Sequence, residues 1–153
     1  MGDKLDGIDR RILSLLQQDA SLTADEISAR VALSRNACWR RIRVMEEAGV
    51  ILGRVVLVDP AKVGCPLEVM VQVRTNSHEP GWLESFARAT RAMPEVVGAY
   101  RMTGDLDYLL RVRVADMAAY DAFYKRLISR VPLSDISASF VMEEIKETTA
   151  LPL

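Results

Sequence analysis

Ten residues, Ser34-Arg35-Asn36-Ala37-Cys38-Trp39-Arg40-Arg41-Ile42-Arg43, hold four arginines and no acid in a chain of formal net charge -1. Wound as a helix at about 100° per residue, they separate onto two faces. Cys38 and Ile42, continued by Met45, form an apolar stripe, and Asn36, Trp39, Arg40 and Arg43 gather on the opposite side. Those outward types suit DNA: arginine neutralises phosphate or forks onto guanine, and asparagine pairs with adenine. With the flanking Ser34 and Arg35 and the interleaved Arg41, they make the candidate DNA-binding set. Most charge runs are only solvated faces, but the absence of interleaved acids weighs against that here. Residues 1–60 hold nine basic and nine acidic side chains, so affinity for DNA has to come from this local patch.

A reading helix needs elements to hold it, and the preceding segment supplies them. Ile8, Ile12, Leu15 and Leu16 recur at helical spacing behind Asp6, an N-cap candidate. Thr23-Ala24-Asp25-Glu26 reads as a capping box, in which the Thr23 hydroxyl and the Glu26 carboxylate satisfy each other's orphan amides. It opens a short helix with Ile27 and Val31 inward. Ala32-Leu33 makes a tight connection, Ser34 caps the third helix, and Gly49 stands where a left-handed C-terminal residue is needed. Three helices with the last one basic match the geometry that places a final helix in the major groove.

Half of the 153 residues are hydrophobic, enough for a packed core in one large domain or two small ones. Met1-Gly2-Asp3-Lys4-Leu5-Asp6 has no apolar signal core, and no apolar run approaches a membrane span, which predicts a cytoplasmic protein. Two cysteines are too few for a disulfide framework. Cys38 falls on the inward stripe, and nothing near Cys65 marks it as reactive.

After Gly49 the pattern changes. Val50 to Val58 is β-rich and closes on Asp59-Pro60, which predicts a linking strand, and Ala61-Lys62-Val63-Gly64-Cys65-Pro66 breaks the chain. Leu67, Val69, Val71 and Val73 then alternate with Glu68, Met70, Gln72 and Arg74 as a strand does. Trp82, Phe86, Ala89 and Met93 follow at helical spacing, and Val96 to Thr103 is a second strand. The unit recurs: Leu110, Val112 and Val114 alternate with arginines, a helix turns Met117, Tyr120, Tyr124 and Leu127 inward, and Ile136 to Met142 closes as a strand. The fold class is therefore α+β, a winged-helix-like helix-turn-helix head over 1–50 and a ferredoxin-like βαββαβ domain over 67–153, joined by a linker strand and hinge over 51–66. The sheet face away from the helices would carry Met70, Tyr100, Met102, Leu109 and Val141. Such an apolar face predicts cover by a second subunit.

This order of parts resembles the Lrp/AsnC family, the feast/famine regulators. The likeness runs from Leu5 to Leu153. It rests on Leu5-Asp6-Gly7-Ile8-Asp9-Arg10-Arg11-Ile12-Leu13, on Leu33-Ser34 and Arg40-Arg41-Ile42, and on Glu46-Glu47-Ala48-Gly49-Val50-Ile51 and Asp59-Pro60. Further on it rests on Pro94-Glu95-Val96, Gly104-Asp105-Leu106-Asp107-Tyr108 and Thr148-Thr149-Ala150-Leu151-Pro152-Leu153. No single match is decisive, but their order and spacing are specific. Trp39 departs from the commoner pattern, where a smaller or aliphatic residue is frequent. The resemblance implies a transcription factor acting on double-stranded DNA through a pseudo-palindromic operator. It also implies a second domain that forms dimers, often octamers, and holds a small amino acid between subunits. Cys38-Trp39-Arg40-Arg41-Ile42, Arg101-Met102-Thr103-Gly104 and Tyr120 to Leu127 look most like the cysteine-responsive branch.

In that family the effector pocket surrounds the loop that corresponds to Thr103-Gly104-Asp105-Leu106-Asp107, with Tyr100 and Met102 before it. Asp105 or Asp107 would meet the ammonium of an amino acid, and the Gly104 amide with Ser137 or Ser139 its carboxylate. The same residues also read as an ordinary hairpin turn. Two other classes compete. An effector-independent protein that bends DNA would share the head and the assembly. Siroheme decarboxylases share the architecture, but the only histidine, His78, sits in a polar loop over 76–81. One histidine and two distant cysteines give no metal spacing, and no phosphate loop or nucleophile elbow is present, so no cofactor, metal or catalytic residue is expected.

Overall fold

The computed structural model describes residues 5–76 and 79–153; the His78 reading falls outside them. The chain divides into two compact units. One reaches Leu57 and takes in Lys146–Leu153; the other is Val58–Ile145. The sequence division at 67–153 keeps those last residues with the second domain instead.

In the first unit, α1 (Gly7–Gln18), α2 (Ala24–Val31) and α3 (Arg35–Glu47) begin and end where short-range chemistry places them. The Asp6 carboxylate accepts the amides of Ile8 and Asp9, each at 2.8 Å, and the Asp9 carboxylate accepts the Asp6 amide at 3.1 Å. Thr23 Oγ1 accepts the Glu26 amide at 3.3 Å while Glu26 accepts the Thr23 amide at 2.8 Å. Between α2 and α3 the chain turns through Ala32 at φ 57°, a left-handed position held by a residue other than glycine. Ser34 Oγ caps α3 on the Ala37 amide at 3.2 Å. At its far end Gly49 adopts φ 70°, which lets the amides of Gly49 and Val50 donate back to the carbonyls of Glu46 and Met45 at 3.0 and 2.8 Å. The helices close on Ile12, Leu13, Ile27, Val31, Cys38, Ile42 and Met45. Burial pushes the Cys38 thiol pKa up, which suits a small core residue and not a reactive one.

The linking strand expected over 50–58 does not form as a strand. Among the described residues, positions 52–58 have no ladder partner, and Leu52, Val55, Val56, Leu57 and Val58 are exposed. β-rich composition makes a strand only when a neighbouring strand takes its backbone groups, and this chain supplies none.

The second unit comprises β1 (Leu67–Arg74), α4 (Pro80–Arg91), β2 (Val96–Arg101), β3 (Tyr108–Val114), α5 (Met117–Arg130) and β4 (Asp135–Phe140). The strands lie in the order β2-β3-β1-β4, all neighbours antiparallel. This is the split βαβ arrangement read from the alternating pattern. Val69, Val71 and Val73 pair with Val112, Leu110 and Tyr108 on one face, and Trp82, Phe86, Ala89 and Met93 of α4 and its C-terminal end pack with them. Trp82 stacks on Phe86 at 5.1 Å, and its indole N–H donates to the Pro132 carbonyl at 2.7 Å.

Two expectations need correction. On α5 Leu127 is buried and Tyr120 packs against the core as expected, but the other fully buried residue is Phe123, while Met117 is exposed and Tyr124 is half-buried. Phe123 lies one residue before Tyr124, and the ring without a hydroxyl takes the central place, since a buried Tyr hydroxyl would need a hydrogen-bond partner there. The opposite sheet face is not simply apolar either. Met70 and Leu109 share it with Glu68, which is 5% exposed and paired with Arg113 at 2.7 Å, and Arg113 reaches Glu144 at 3.1 Å. Arginines that alternate with valines on β3 have to point to this face, and Glu68 opposite Arg113 makes that burial tolerable. Phe123→Ala is expected to lower unfolding free energy by about 3–5 kcal/mol and Tyr124→Ala by about 1 kcal/mol or less. Urea denaturation followed by circular dichroism checks the difference.

Candidate DNA-binding helix and effector loop

α3 presents Asn36, Trp39, Arg40 and Arg43 to solvent, with Trp39 54% exposed. The Arg43 guanidinium sits 5.3 Å from the Trp39 ring centre, and its Nε donates to Glu47 at 3.0 Å. That pair orients a cation over an aromatic face on the outward side. Arg35 is exposed and reaches Asp25 at 3.5 Å. Ser34 spends its hydroxyl on the helix cap.

Arg41 belongs elsewhere. Its Nη1 donates to Asp6 and to Asp9 at 2.7 Å each, and the side chain is about one-third exposed. The guanidinium thus fastens α3 to the N-terminal turn of α1 and is not displayed for phosphate. The Asp9 amide and then the Arg41 guanidinium hold the Asp6 carboxyl below the ordinary carboxylate range. Arg54, which reading along the helix alone could not find, faces the same cleft as Trp39 and Arg43. That cleft, of about 570 Å³, is also lined by Ser21, Thr23 and Glu46, and Arg54 reaches Glu46 at 3.4 Å.

The loop between β2 and β3 is laced to the end of β1. Asp107 Oδ2 accepts the Thr75 amide at 2.8 Å, the Asp107 amide donates to the Val73 carbonyl at 3.2 Å, and its carbonyl accepts the Met102 amide at 2.8 Å. Arg74 Nε donates to the Asp105 carbonyl at 2.8 Å. Gly104 sits at φ 104°, and Thr103, Gly104 and Asp105 are exposed. Of the two candidate carboxylates, then, Asp107 is engaged in holding the loop and Asp105 is open.

Tyr100 pairs with Leu109, Leu109 with Gln72, and Gln72 with Ser137, one row across the sheet. Ser139 stands opposite Met70 in the next row. Ser137 and Ser139 are therefore on the edge strand farthest from β2, three interstrand spacings or about 14 Å away. Among the described residues Ser137 Oγ donates to Gln72 at 3.4 Å, and neither serine hydrogen-bonds to the Gly104 loop. The Tyr100 ring lies back over Gly98, where an added methyl would meet its hydroxyl at 2.7 Å.

Comparison with known proteins matches residues 5–51 to a winged helix-turn-helix DNA-binding model and residues 68–151 to the Lrp/AsnC ligand binding domain. The chain belongs to the Lrp/AsnC family. It is 51% identical to the glutamate uptake regulatory protein of Zymomonas mobilis over 98% of this chain and 92% of the relative. It is 47% identical to the DNA-binding transcriptional activator DecR of Escherichia coli over 97% of this chain and 99% of the relative. Its fold superposes on an AsnC family regulator of Agrobacterium tumefaciens with a TM-score of 0.94 and 52% identity, covering 97% of both chains. A Neisseria meningitidis transcriptional regulator solved with L-Met gives a TM-score of 0.93 at 38% identity, again over 97% of both chains. As an Lrp/AsnC protein it is a DNA-binding transcriptional regulator with an amino-acid ligand-binding domain, and not an enzyme. No helix among the described residues is long and apolar enough to cross a membrane.

Arg41→Ala is expected to raise the acid-unfolding midpoint. Asp6 has a depressed folded pKa, so its stabilisation is present above the ordinary carboxylate pKa and is lost as pH falls through the folded value. Without Arg41 the folded value lies closer to the ordinary one, so less stabilisation is present and it is exhausted at higher pH, which acid titration followed by tryptophan fluorescence measures. Asp107→Ala is expected to cost about 1–3 kcal/mol with or without amino acid present, because a part-buried amide loses its acceptor. A melting scan in both conditions checks it.

Proposed function

We propose that α3 reads the major groove through Asn36, Trp39, Arg40 and Arg43, with Arg54 beside them, and that the second domain binds a small amino acid at the Thr103–Asp107 loop. The observation that carries the first part is the division of labour among the arginines of α3. Arg41 is engaged behind the helix by Asp6 and Asp9, while Arg40 and Arg43 are exposed with Asn36 and Trp39. Such a regulator works on DNA in the cytoplasm.

For the effector, the open Asp105 carboxylate and the Gly104 backbone offer complementary partners to a zwitterion. Ser137 and Ser139 make no hydrogen bond to this loop among the described residues of one chain, and another copy bringing its β4 edge to the loop would let them join. That arrangement favours a site between subunits, in an assembly of dimers or octamers. Cysteine is the first amino acid to test, and the L-Met complex of the Neisseria regulator makes methionine the second. A ligand touching two subunits shifts the assembly by its differential affinity for the forms.

Binding is measured by titrating the dimer onto DNA from upstream of its own gene, with and without each amino acid. Two-fold symmetry gives a pseudo-palindromic site with half-sites about 34 Å, or a multiple of that, apart. Arg40→Ala is expected to weaken specific binding by about 1–3 kcal/mol. Normal affinity with an unchanged salt slope would place the reading face elsewhere. Calorimetry that finds no heat with any amino acid would favour the effector-independent architectural protein.

A further inference from the structure

The residues after β4 return to the DNA-binding head. Lys146–Leu153 group with the first unit, and Gln17, near the end of α1, holds Leu151 by both of its backbone groups. The Leu151 amide donates to Gln17 Oε1 at 2.6 Å, and Gln17 Nε2 donates to the Leu151 carbonyl at 3.2 Å. A glutamine carboxamide has one acceptor and one donor edge, so it can answer an extended residue as a neighbouring strand would. The sequence prepares Leu151 for this. Pro152 follows it, and a residue before proline is driven out of the helical region into extended backbone, where its N–H and C=O face the same side. Upstream, Thr148 Oγ1 accepts the Ala150 amide at 3.1 Å and shapes the approach. Leu151 and Leu153 then form one wall of an apolar groove of about 650 Å³, with Leu13, Leu16, Leu52 and Val55 among the others.

We propose that residues 146–153 are a strap that anchors the DNA-binding head at a second point, with Gln17 as its buckle. The head is then joined to the strand bearing Ser137 and Ser139 by residues 141–145, as well as to β1 by the linker. A head anchored at both ends has fewer conformations to surrender when it docks on DNA, so the strap raises operator affinity without touching the operator. Gln17 is a positioning residue in this scheme. The operator measurement rests on the DNA-binding reading, whereas the strap itself is tested without DNA.

The test uses the full chain, Gln17→Leu, a chain lacking 149–153, and the two changes combined. Hydrogen exchange at the Leu151 amide is expected to quicken at least tenfold in Gln17→Leu, with the α1–α3 core amides unchanged. Operator affinity is expected to fall roughly threefold to tenfold in each variant, and the combination is expected to cost no more than the truncation alone, because Gln17 then has nothing left to hold. Unchanged exchange at Leu151 would refute the buckle. Faster exchange with unaltered affinity, or losses that add, would refute the positioning role. Failure of the unaltered chain to bind its operator would count against the DNA reading alone, and the exchange measurement would still decide the strap.

Discussion

The fork from Arg41 to Asp6 and Asp9 is the constraint on which the head's function depends. α3 has a narrow inward stripe, three buried residues in thirteen, so apolar packing alone fixes its position less firmly than its roll about its own axis requires. Two hydrogen bonds of 2.7 Å to the cap of α1 supply that missing restraint. The same carboxylates close the α1 capping box, so the start of one helix and the orientation of another are set by one cluster of three side chains. Because the cluster lies behind α3, Asn36, Trp39, Arg40 and Arg43 stay exposed without also carrying the fold.

The second domain solves a different problem. Its sheet has helices on one face only, and the other face mixes methionine and leucine with a Glu68–Arg113–Glu144 chain of charges. A wholly apolar face would associate with any greasy surface, whereas a face crossed by half-buried charges accepts only partners that keep those charges paired. The loop after β2 is made stiff by Asp107 and Arg74, while Asp105 is left exposed at its tip.

What could be read from the sequence follows the range of the interactions. The caps at Asp6, Thr23 and Ser34 and the left-handed Gly49 depend on neighbours within four residues, and all stand where the sequence puts them. The buried sheet face follows from alternation, because Val69, Val71 and Val73 can bury only one side, and the split βαβ arrangement follows from the succession of strands and helices. Arg41 was indistinguishable from its neighbours, since its partners lie 32 and 35 residues back along the chain. Asp107 looked like a ligand for the same reason: its partner, Thr75, is 32 residues away. Phe123 was hidden because a helix repeat admits either it or Tyr124 on the core side, and only the packed sheet chooses. The linker failed as a strand because composition describes willingness to pair and says nothing about whether a partner exists.

The exposed linker has a consequence for what the chain can pair with. Leu52 and Val55 to Val58 leave a short run of bare backbone amides and carbonyls beside apolar side chains. Such an edge is a template for any strand that drifts past, including those of unfinished or damaged proteins. Within one copy, among the described residues, those groups have no ladder partner, so a strand supplied by a second copy would both pair them and cover the apolar side chains.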